Sequence, residues 1–211
     1  MSIVADNYIN LGILIIIIAL LGYISNWLNW KYLNSSIIRF LYYIGTLIHE
    51  LSHIILCILT GARVSKISIF SKKPGIVHSK SRIPIIGQAL ISLAPIIGGM
   101  AFLYAINRFC LSNYFTVPSN FKDFLTIFSG IGILDWQLWV MILLSFNMGA
   151  MIGPSLEDLK HVWFVLILLL FVKWPVLINI SLLAIFLILL NILIQGILIV
   201  ILSIVRKIRG K

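Results

Sequence analysis

Two histidines four residues apart, with a glutamate directly after the first, form the pattern His49-Glu50-x-x-His53. Residues four apart lie on one face of a helix, so both imidazoles can bind a single tetrahedral metal ion. Glu50 would then lie beside the metal and accept a proton from a water molecule whose pKa zinc lowers to roughly 7. The spacing therefore predicts a zinc-dependent hydrolytic site with a single zinc ion in each chain.

This pattern lies within an apolar segment, residues 37–60, which is unlike a soluble helix. Ionisable side chains inside a membrane-spanning helix cost about 2.5 to 3.5 kcal/mol each on insertion scales. Three polar residues so close together therefore need a shared reason, and a bound metal ion provides one. We expect the hydrolytic site to lie within a membrane.

The composition of the chain is that of a polytopic membrane protein. Of its 211 residues, 61% are hydrophobic and only 10% are charged, whereas charged residues make up about 25% of soluble proteins. Apolar runs long enough to span a bilayer predict an all-α fold with about six transmembrane helices. The predicted spans, in a single domain of residues 1–211, are 8–28, 37–60, 83–107, 125–152, 160–175 and 178–205. The last two share one apolar block that Lys173-Trp174-Pro175 interrupts, so five spans are the alternative.

The net charge of +10 is explained by membrane topology, and no nucleic-acid partner is expected. Basic segments favour the cytoplasmic side of a membrane. The segment between the second and third spans is rich in basic residues and has no acid: it carries Arg63, Lys66, Lys72, Lys73, Lys80 and Arg82. The C-terminus is also basic, with Arg206, Lys207, Arg209 and Lys211. With six spans, the N- and C-termini are therefore both expected in the cytoplasm.

The residues alone leave more than one candidate for the third metal ligand. A catalytic zinc site has three protein ligands and one open position, so one ligand is needed beyond the two histidines. The predicted topology puts His53 about 10 Å from the cytoplasmic end of its helix, on the side where Glu157 and Asp158 follow the fourth span. This favours either of them over Asp135. Both acids also fit the first turn of a helix with Ser155 as its N-cap. We expect Asp158 as the ligand, with Glu157 as the alternative.

Residues 49–64 resemble the metal-binding helix of the site-2-protease-like membrane zinc peptidases, particularly their small prokaryotic relatives. In that family the His-Glu-x-x-His pattern is followed by a Thr-Gly-x-x-Val turn, which corresponds here to Thr60–Val64. The similarity continues through residues 65–69 and 75–77, which resemble the short β hairpin after the metal helix, and through the small-residue third span at 89–99. The remainder of the chain is similar in hydropathy.

This resemblance implies that His49 and His53 bind zinc, that Glu50 is the general acid and base, and that Asp158 is the third ligand. Family members that carry an Asn-x-x-Pro motif and a Leu-Asp-Gly motif differ from this chain. Here Asn147 lies seven residues before the next proline, and leucine follows Asp158.

The implied activity is that of an intramembrane zinc endopeptidase. It would cleave transmembrane or membrane-adjacent segments of other proteins near the cytoplasmic face of a prokaryotic cell membrane. Its partners would be a membrane-protein or membrane-peptide substrate and the lipid bilayer. The alternative is a non-proteolytic zinc-binding membrane protein, either a metal transporter or an inactive relative acting as a membrane chaperone. Glu50 argues against an inactive relative, and Asn179, Asn191 and Gln195 are expected to form interhelical hydrogen bonds.

Two further features of the sequence predict packing. Gly98 and Gly99, with Ala94 one turn earlier, would allow the third span to approach a neighbouring helix closely. Cys57 lies one turn after His53. It fits a small buried apolar residue better than a metal ligand.

Overall fold

The structure is a computed structural model that describes residues 10–33, 40, 42–68, 75–78, 81–83, 86–110, 135–160, 169 and 174–208. The long helices of these ranges are α1 (Leu11–Tyr32), α2 (Tyr43–Leu59), α3 (Ile86–Ala105), α4 (Trp136–Ile152) and α6 (Pro175–Ile208). The short elements are β1 (Val64–Ser68) and β2 (Gly75–His78) between α2 and α3, a π-helical turn (Ile106–Cys110) after α3, and the one-turn helix α5 (Leu156–Leu159).

The helices are apolar enough for a membrane. Within the described ranges, three of them are also long enough to cross one: Leu11–Asn29, Ile86–Phe109 and Pro175–Ile208. Helices α2 and α4 have 17 residues each, which is about 26 Å at 1.5 Å per residue and slightly less than the roughly 30 Å hydrocarbon core. The predicted fifth span, 160–175, falls almost wholly outside the described residues. The described part of the chain is therefore mostly helical, with three candidate membrane spans.

The core lies between α1, α3, α4 and α6. Large side chains from each helix are fully buried there, including Ile18, Leu103, Met148 and Leu187. The outward faces are apolar too, as the half-exposed Leu193 shows. Helices that are apolar on all sides are typical of membrane spans, since lipid covers the outward face.

Helices α1 and α6 run in the same direction. Ser25 bonds to Asn191 and Asn29 bonds to Gln195, and both pairs are separated by 166 positions in the sequence. Such a constant offset occurs only between parallel helices, because antiparallel partners have a constant sum of residue numbers. The start of α1 therefore lies at the same end of the bundle as the start of α6, and Ile208 lies at the opposite end.

This direction corrects one expectation. Six crossings would make the first and last helices antiparallel and would put both chain termini on one side. The parallel pairing of α1 and α6 instead requires an odd number of crossings. Six spans, obtained by dividing the last apolar block into two crossings at Lys173-Trp174-Pro175, do not fit this direction of α6, whereas the alternative of five spans does.

Helix α2 packs between α3 and α4. At its start, Asn147 Oδ1 of α4 accepts a 2.7 Å hydrogen bond from the Gly45 N–H, which is one of the donors that the first turn of a helix leaves without an internal partner. The side chain of the preceding N-cap residue, Tyr42, makes no capping hydrogen bond. An amide from another helix therefore takes the place of a local cap and holds α2 against α4.

The Gly98 prediction is confirmed, because α3 approaches α2 closely at this residue. A Cβ atom on Gly98 would overlap the Ser52 hydroxyl, and a Cβ on Gly99 would overlap the Ile152 side chain. The paired glycines therefore let α3 touch both α2 and α4 at the depth of His53.

The two strands form an antiparallel hairpin with Val64 opposite His78 and Ser68 opposite Gly75. Gly61 turns the chain from α2 into β1 with a φ of 73°, a conformation that glycine adopts without steric cost. On the return path, the Ser81 hydroxyl donates to the Thr60 carbonyl at 2.9 Å. Both ends of the hairpin are thus tied to the end of α2.

The parallel direction of α6 can be tested by labelling single cysteines from one side of the membrane. Cys110→Ser would be the background, since the buried Cys57 is shielded. We expect Arg63→Cys and Lys207→Cys to react with a membrane-impermeant maleimide from opposite sides. Lys31→Cys is the control and should react from the same side as Lys207→Cys. Labelling of the Arg63 and Lys207 positions from one side would contradict the parallel arrangement.

The close approach at Gly98 predicts that alanine destabilises the protein at this position but not at Gly196. Gly98→Ala should lower the free energy of unfolding by about 1 to 3 kcal/mol, since overpacking forces α2 and α3 apart. Gly196→Ala is the matched control because nothing lies within 4 Å of the added Cβ. It should leave stability unchanged or raise it by up to about 1 kcal/mol through helix propensity. Unfolding in detergent measures both, and equal effects would exclude the proposed contact.

Candidate metal centre

Helix α2 presents three polar side chains of the site from adjacent turns. The rings of His49 and His53 lie side by side, with 5.0 Å between their centroids. Glu50 is 4% exposed and His53 is 8% exposed, although both lie on an otherwise apolar helix. The imidazole of His49 also interacts with the backbone of Met151 on α4. The helical spacing thus brings the two histidines together against α4.

The fourth side chain, Asp158, reaches the site because the chain breaks its helical course after α4. Pro154 has no N–H, and a residue before proline disfavours the helical conformation; Gly153 accordingly has an extended backbone. The Gly153 carbonyl accepts a 2.9 Å hydrogen bond from Asn26 Nδ2 of α1. The Gly22 backbone packs directly against Gly153, where an added Cβ would lie 2.7 Å from the Gly153 Cα. The chain is therefore turned within the bundle and not at its edge.

Ser155 then orients Asp158. It is the N-cap of α5, as its sequence predicts, and forms a capping box with Asp158. The Ser155 N–H and hydroxyl each donate to Asp158 Oδ2 at 2.7 Å. The other carboxylate oxygen, Oδ1, lies 3.5 Å from His53 Nε2. One oxygen is thus held by the capping box while the other points to the histidines.

His49, His53 and Asp158 form a group that could hold a metal ion. One candidate ligand atom from each residue can be chosen so that all three lie within 4.8 Å of one another. Two imidazole nitrogens and a carboxylate oxygen are a normal donor set for catalytic zinc, and they leave an open position.

The surroundings of the group also fit a cation. Among the described residues, His49 Nδ1 and Glu50 Oε2 are fully buried atoms without a hydrogen-bond partner. The carboxylates of Glu50 and Asp158 also repel each other. Buried polar atoms without partners and neighbouring like charges are both costly. A divalent cation would bind the imidazole and offset this repulsion, so the residues present fit zinc.

The structure separates the alternative ligands from this group. The Glu157 side chain is 79% exposed and pairs with Lys160 at 2.6 Å. Asp135 precedes α4, about 24 Å before Met151 along the helix. Cys57 is fully buried against Ala62, which agrees with its prediction as an apolar core residue. Of the predicted candidates, Asp158 is the acid that the described structure brings to the histidines.

Two roles were not predicted from the sequence. Asn147, noted in the sequence only for its distance from Pro154, binds Gly45 through Oδ1 and its own helix at Leu143 through Nδ2. Ser155 was expected only as a cap, yet it orients the carboxylate that faces His53. The spacing of a capping box, serine followed three residues later by an acid, was the available signal.

Comparison with known proteins identifies the family. The family model of the M50B-like peptidases matches residues 13–179. This range is well over half of the chain and includes His49, Glu50, His53 and Asp158. No curated protein and no solved structure matches the chain. The family is one of site-2 proteases, which use zinc. On this match the chain is a member of the M50B-like peptidase family.

Proposed function

We propose that this chain is an intramembrane zinc endopeptidase that cleaves transmembrane or membrane-adjacent segments of other proteins. The observation that carries the proposal is the group of His49, His53 and Asp158 next to a buried Glu50, in the middle of an apolar helix bundle. Family membership supports a metalloprotease. Within this proposal, the two histidines and Asp158 are the ligands and Glu50 is the general acid and base, which the geometry of the group supports.

The chemistry follows from the positions of these side chains. Zinc, when bound, supplies a Lewis acid that polarises the scissile carbonyl and acidifies a water molecule. Glu50 takes the proton of the attacking water and passes it to the leaving amine, because it lies next to the ligands but is not one of them. Ser155 keeps Asp158 facing His53. The buried surroundings strengthen each of these electrostatic interactions by excluding water.

The β hairpin is a suitable place for the substrate backbone. A transmembrane helix satisfies its peptide groups internally, so it must unwind before cleavage. In the described structure β1 and β2 pair with each other in a two-stranded sheet. Each strand therefore has an outer edge that can accept a further strand by β-augmentation. Since the hairpin follows directly from α2, an unwound segment held there lies near the site.

We place the hairpin in the cytoplasm of a prokaryotic cell, with the chain in the cell membrane. The hairpin segment carries exposed Arg63 and Lys66, and basic loops favour the cytoplasmic side. The start of α1 is then cytoplasmic, and the parallel α6 ends on the outer side together with its basic residues Arg206 and Lys207. The orientation therefore rests on the acid-free segment 63–82 and not on the C-terminus. This arrangement corresponds to five crossings, the alternative to six. Cleavage would occur towards the cytoplasmic half, since His53 is about 10 Å from Thr60 along α2.

A transport function has less support. Asn191 and Gln195 of α6 are fully buried and bind Ser25 of α1, whereas Asn179 of the same helix is exposed. The two buried residues join helices, as interhelical hydrogen bonds do in membrane bundles.

Metal analysis of purified protein tests the ligand assignment. We expect one zinc ion per chain in the wild type and loss of zinc in His53→Ala and Asp158→Ala, because two ligands hold the ion poorly. Glu157→Ala is the matched control, since it removes an adjacent carboxylate that faces Lys160. It should retain zinc. Loss of zinc in Glu157→Ala with retention in Asp158→Ala would reverse the assignment.

The role proposed for Glu50 predicts that a variant at this position can bind zinc without cleaving the substrate. Glu50→Gln should retain zinc but lower cleavage of a fluorogenic transmembrane peptide by at least about 10²-fold, the usual range for loss of a general acid or base. The amide has a similar shape but cannot take a proton. Glu157→Gln, at the exposed carboxylate, should cleave as the wild type does. Wild-type cleavage by zinc-loaded Glu50→Gln would rule out the proposed mechanism.

A further inference from the structure

Asn147 is a buried amide in the otherwise apolar helix α4. It is 2% exposed, and both ends of its amide are bonded. Oδ1 accepts from the Gly45 N–H of α2 at 2.7 Å, and Nδ2 donates to the Leu143 carbonyl of its own helix at 2.8 Å. Only the amide oxygen can accept from an N–H and only the nitrogen can donate to a carbonyl, so the orientation of the amide is fixed. The side chain therefore ties α4 to α2.

This bond takes the place of a local cap at the start of α2. Gly45 is the third residue of that helix, and an N-cap side chain normally bonds to the second or third N–H. Tyr42, the N-cap here, makes no such bond. A local cap would stabilise α2 without reference to its neighbours, whereas Asn147 belongs to another helix. The cap of α2 thus also determines where α2 lies against α4.

The two helices approach closely at this level. A Cβ atom on Gly45 would overlap the Asn147 carbonyl oxygen and would lie 3.2 Å from the Ala150 Cβ. A shift of α2 by one residue would leave the Gly45 N–H and the Asn147 amide oxygen without partners, which is strongly unfavourable in a low-dielectric interior. Close packing and the hydrogen bond together therefore specify one depth and one rotation of α2 against α4.

The same contact joins the two elements that carry the candidate metal ligands. His49 follows Gly45 by one helical turn, and in an α-helix its N–H bonds to the Gly45 carbonyl. Asp158 lies on α5, which follows shortly after the end of α4. The histidines are thus attached to one side of the Asn147 amide and Asp158 to the other. The 3.5 Å between His53 Nε2 and Asp158 Oδ1 therefore depends on how α2 lies against α4.

We propose that Asn147 is a positioning residue for the metal centre: it fixes the depth and rotation of α2 against α4 and thereby sets the separation between the two histidines and Asp158. It acts through the backbone of α2, since both polar atoms of its side chain are bonded to backbone groups. The effect on catalysis rests on the proposed function, whereas the effect on metal binding does not.

Asn147→Leu is the main test, because leucine is similar in size but has no hydrogen-bond acceptor. With zinc bound, a chromophoric chelator should remove the metal about tenfold faster than from the wild type, the lower range for residues that orient metal ligands. With Co²⁺ in place of zinc, the visible absorption bands should shift, since they depend on the arrangement of the ligands. In cleavage of a fluorogenic transmembrane peptide, kcat should fall while KM stays the same.

A conservative variant separates positioning from general stability. Asn147→Asp retains an oxygen that can accept from the Gly45 N–H in either protonation state. It should therefore restore the release rate and the cobalt spectrum towards those of the wild type. Gly45→Ala should resemble Asn147→Leu, because the added methyl group forces α2 away from α4. If Asn147→Leu does not fold, Gly45→Ala carries the test.

Two buried serines provide the controls. Ser145 lies on α4 two residues before Asn147 and donates to the Met141 carbonyl of its own helix at 2.8 Å. Ser25 joins α1 to α6 through Asn191. Ser145→Ala and Ser25→Ala should both release zinc at the wild-type rate, although loss of the Ser25 hydroxyl should lower the unfolding temperature.

Wild-type zinc release and a wild-type cobalt spectrum in Asn147→Leu would overturn the proposal, even if this variant unfolds at a lower temperature. A raised KM with an unchanged cobalt spectrum would also overturn it, because Asn147 would then contact the substrate. A wild type that binds zinc but cleaves no peptide would overturn the proposed function only, because metal release and absorption are measured without proteolysis.

Discussion

The absence of water from the hydrocarbon core is the constraint on which this structure depends. A polar group buried in the bundle must find its partner within the protein or on a bound ion. Two clusters of polar residues in the described helices show this constraint. One cluster, around His53 and Asp158, has unpaired atoms and like charges that a cation would satisfy. The other, around Ser25 and Gln195, joins α1 to α6 through hydrogen bonds between the helices.

The break at Gly153-Pro154 shows how the same constraint produces a reactive site. Ending a helix inside the bundle leaves carbonyl groups without their helical partners, and this is tolerated because Asn26 of α1 binds the Gly153 carbonyl. The chain can then turn back and start α5 within the protein. Its first turn holds Asp158 beside His53 of α2. A continuous α4 would have carried that carboxylate past the histidines.

Local patterns in the sequence were enough to predict part of this arrangement. The spacing of the two histidines is a property of a single helix, and long apolar runs mark the main spans. The choice between Glu157 and Asp158 was harder, because adjacent residues point in different directions and the capping box decides which faces His53. The direction of α6 could not be predicted for a different reason. It is seen in hydrogen bonds between distant parts of the chain, about which neither the length of an apolar run nor a count of basic residues contains information.

The length of α6 has a consequence for the membrane around it. Its 34 residues extend about 51 Å, whereas a hydrocarbon core is about 30 Å thick. A helix this long tilts or alters the local bilayer thickness, and the preferred tilt changes with lipid chain length. Because α6 is hydrogen-bonded to α1 and α4, a change of its tilt with bilayer thickness would load those bonds, and the membrane would set part of the strain within the bundle.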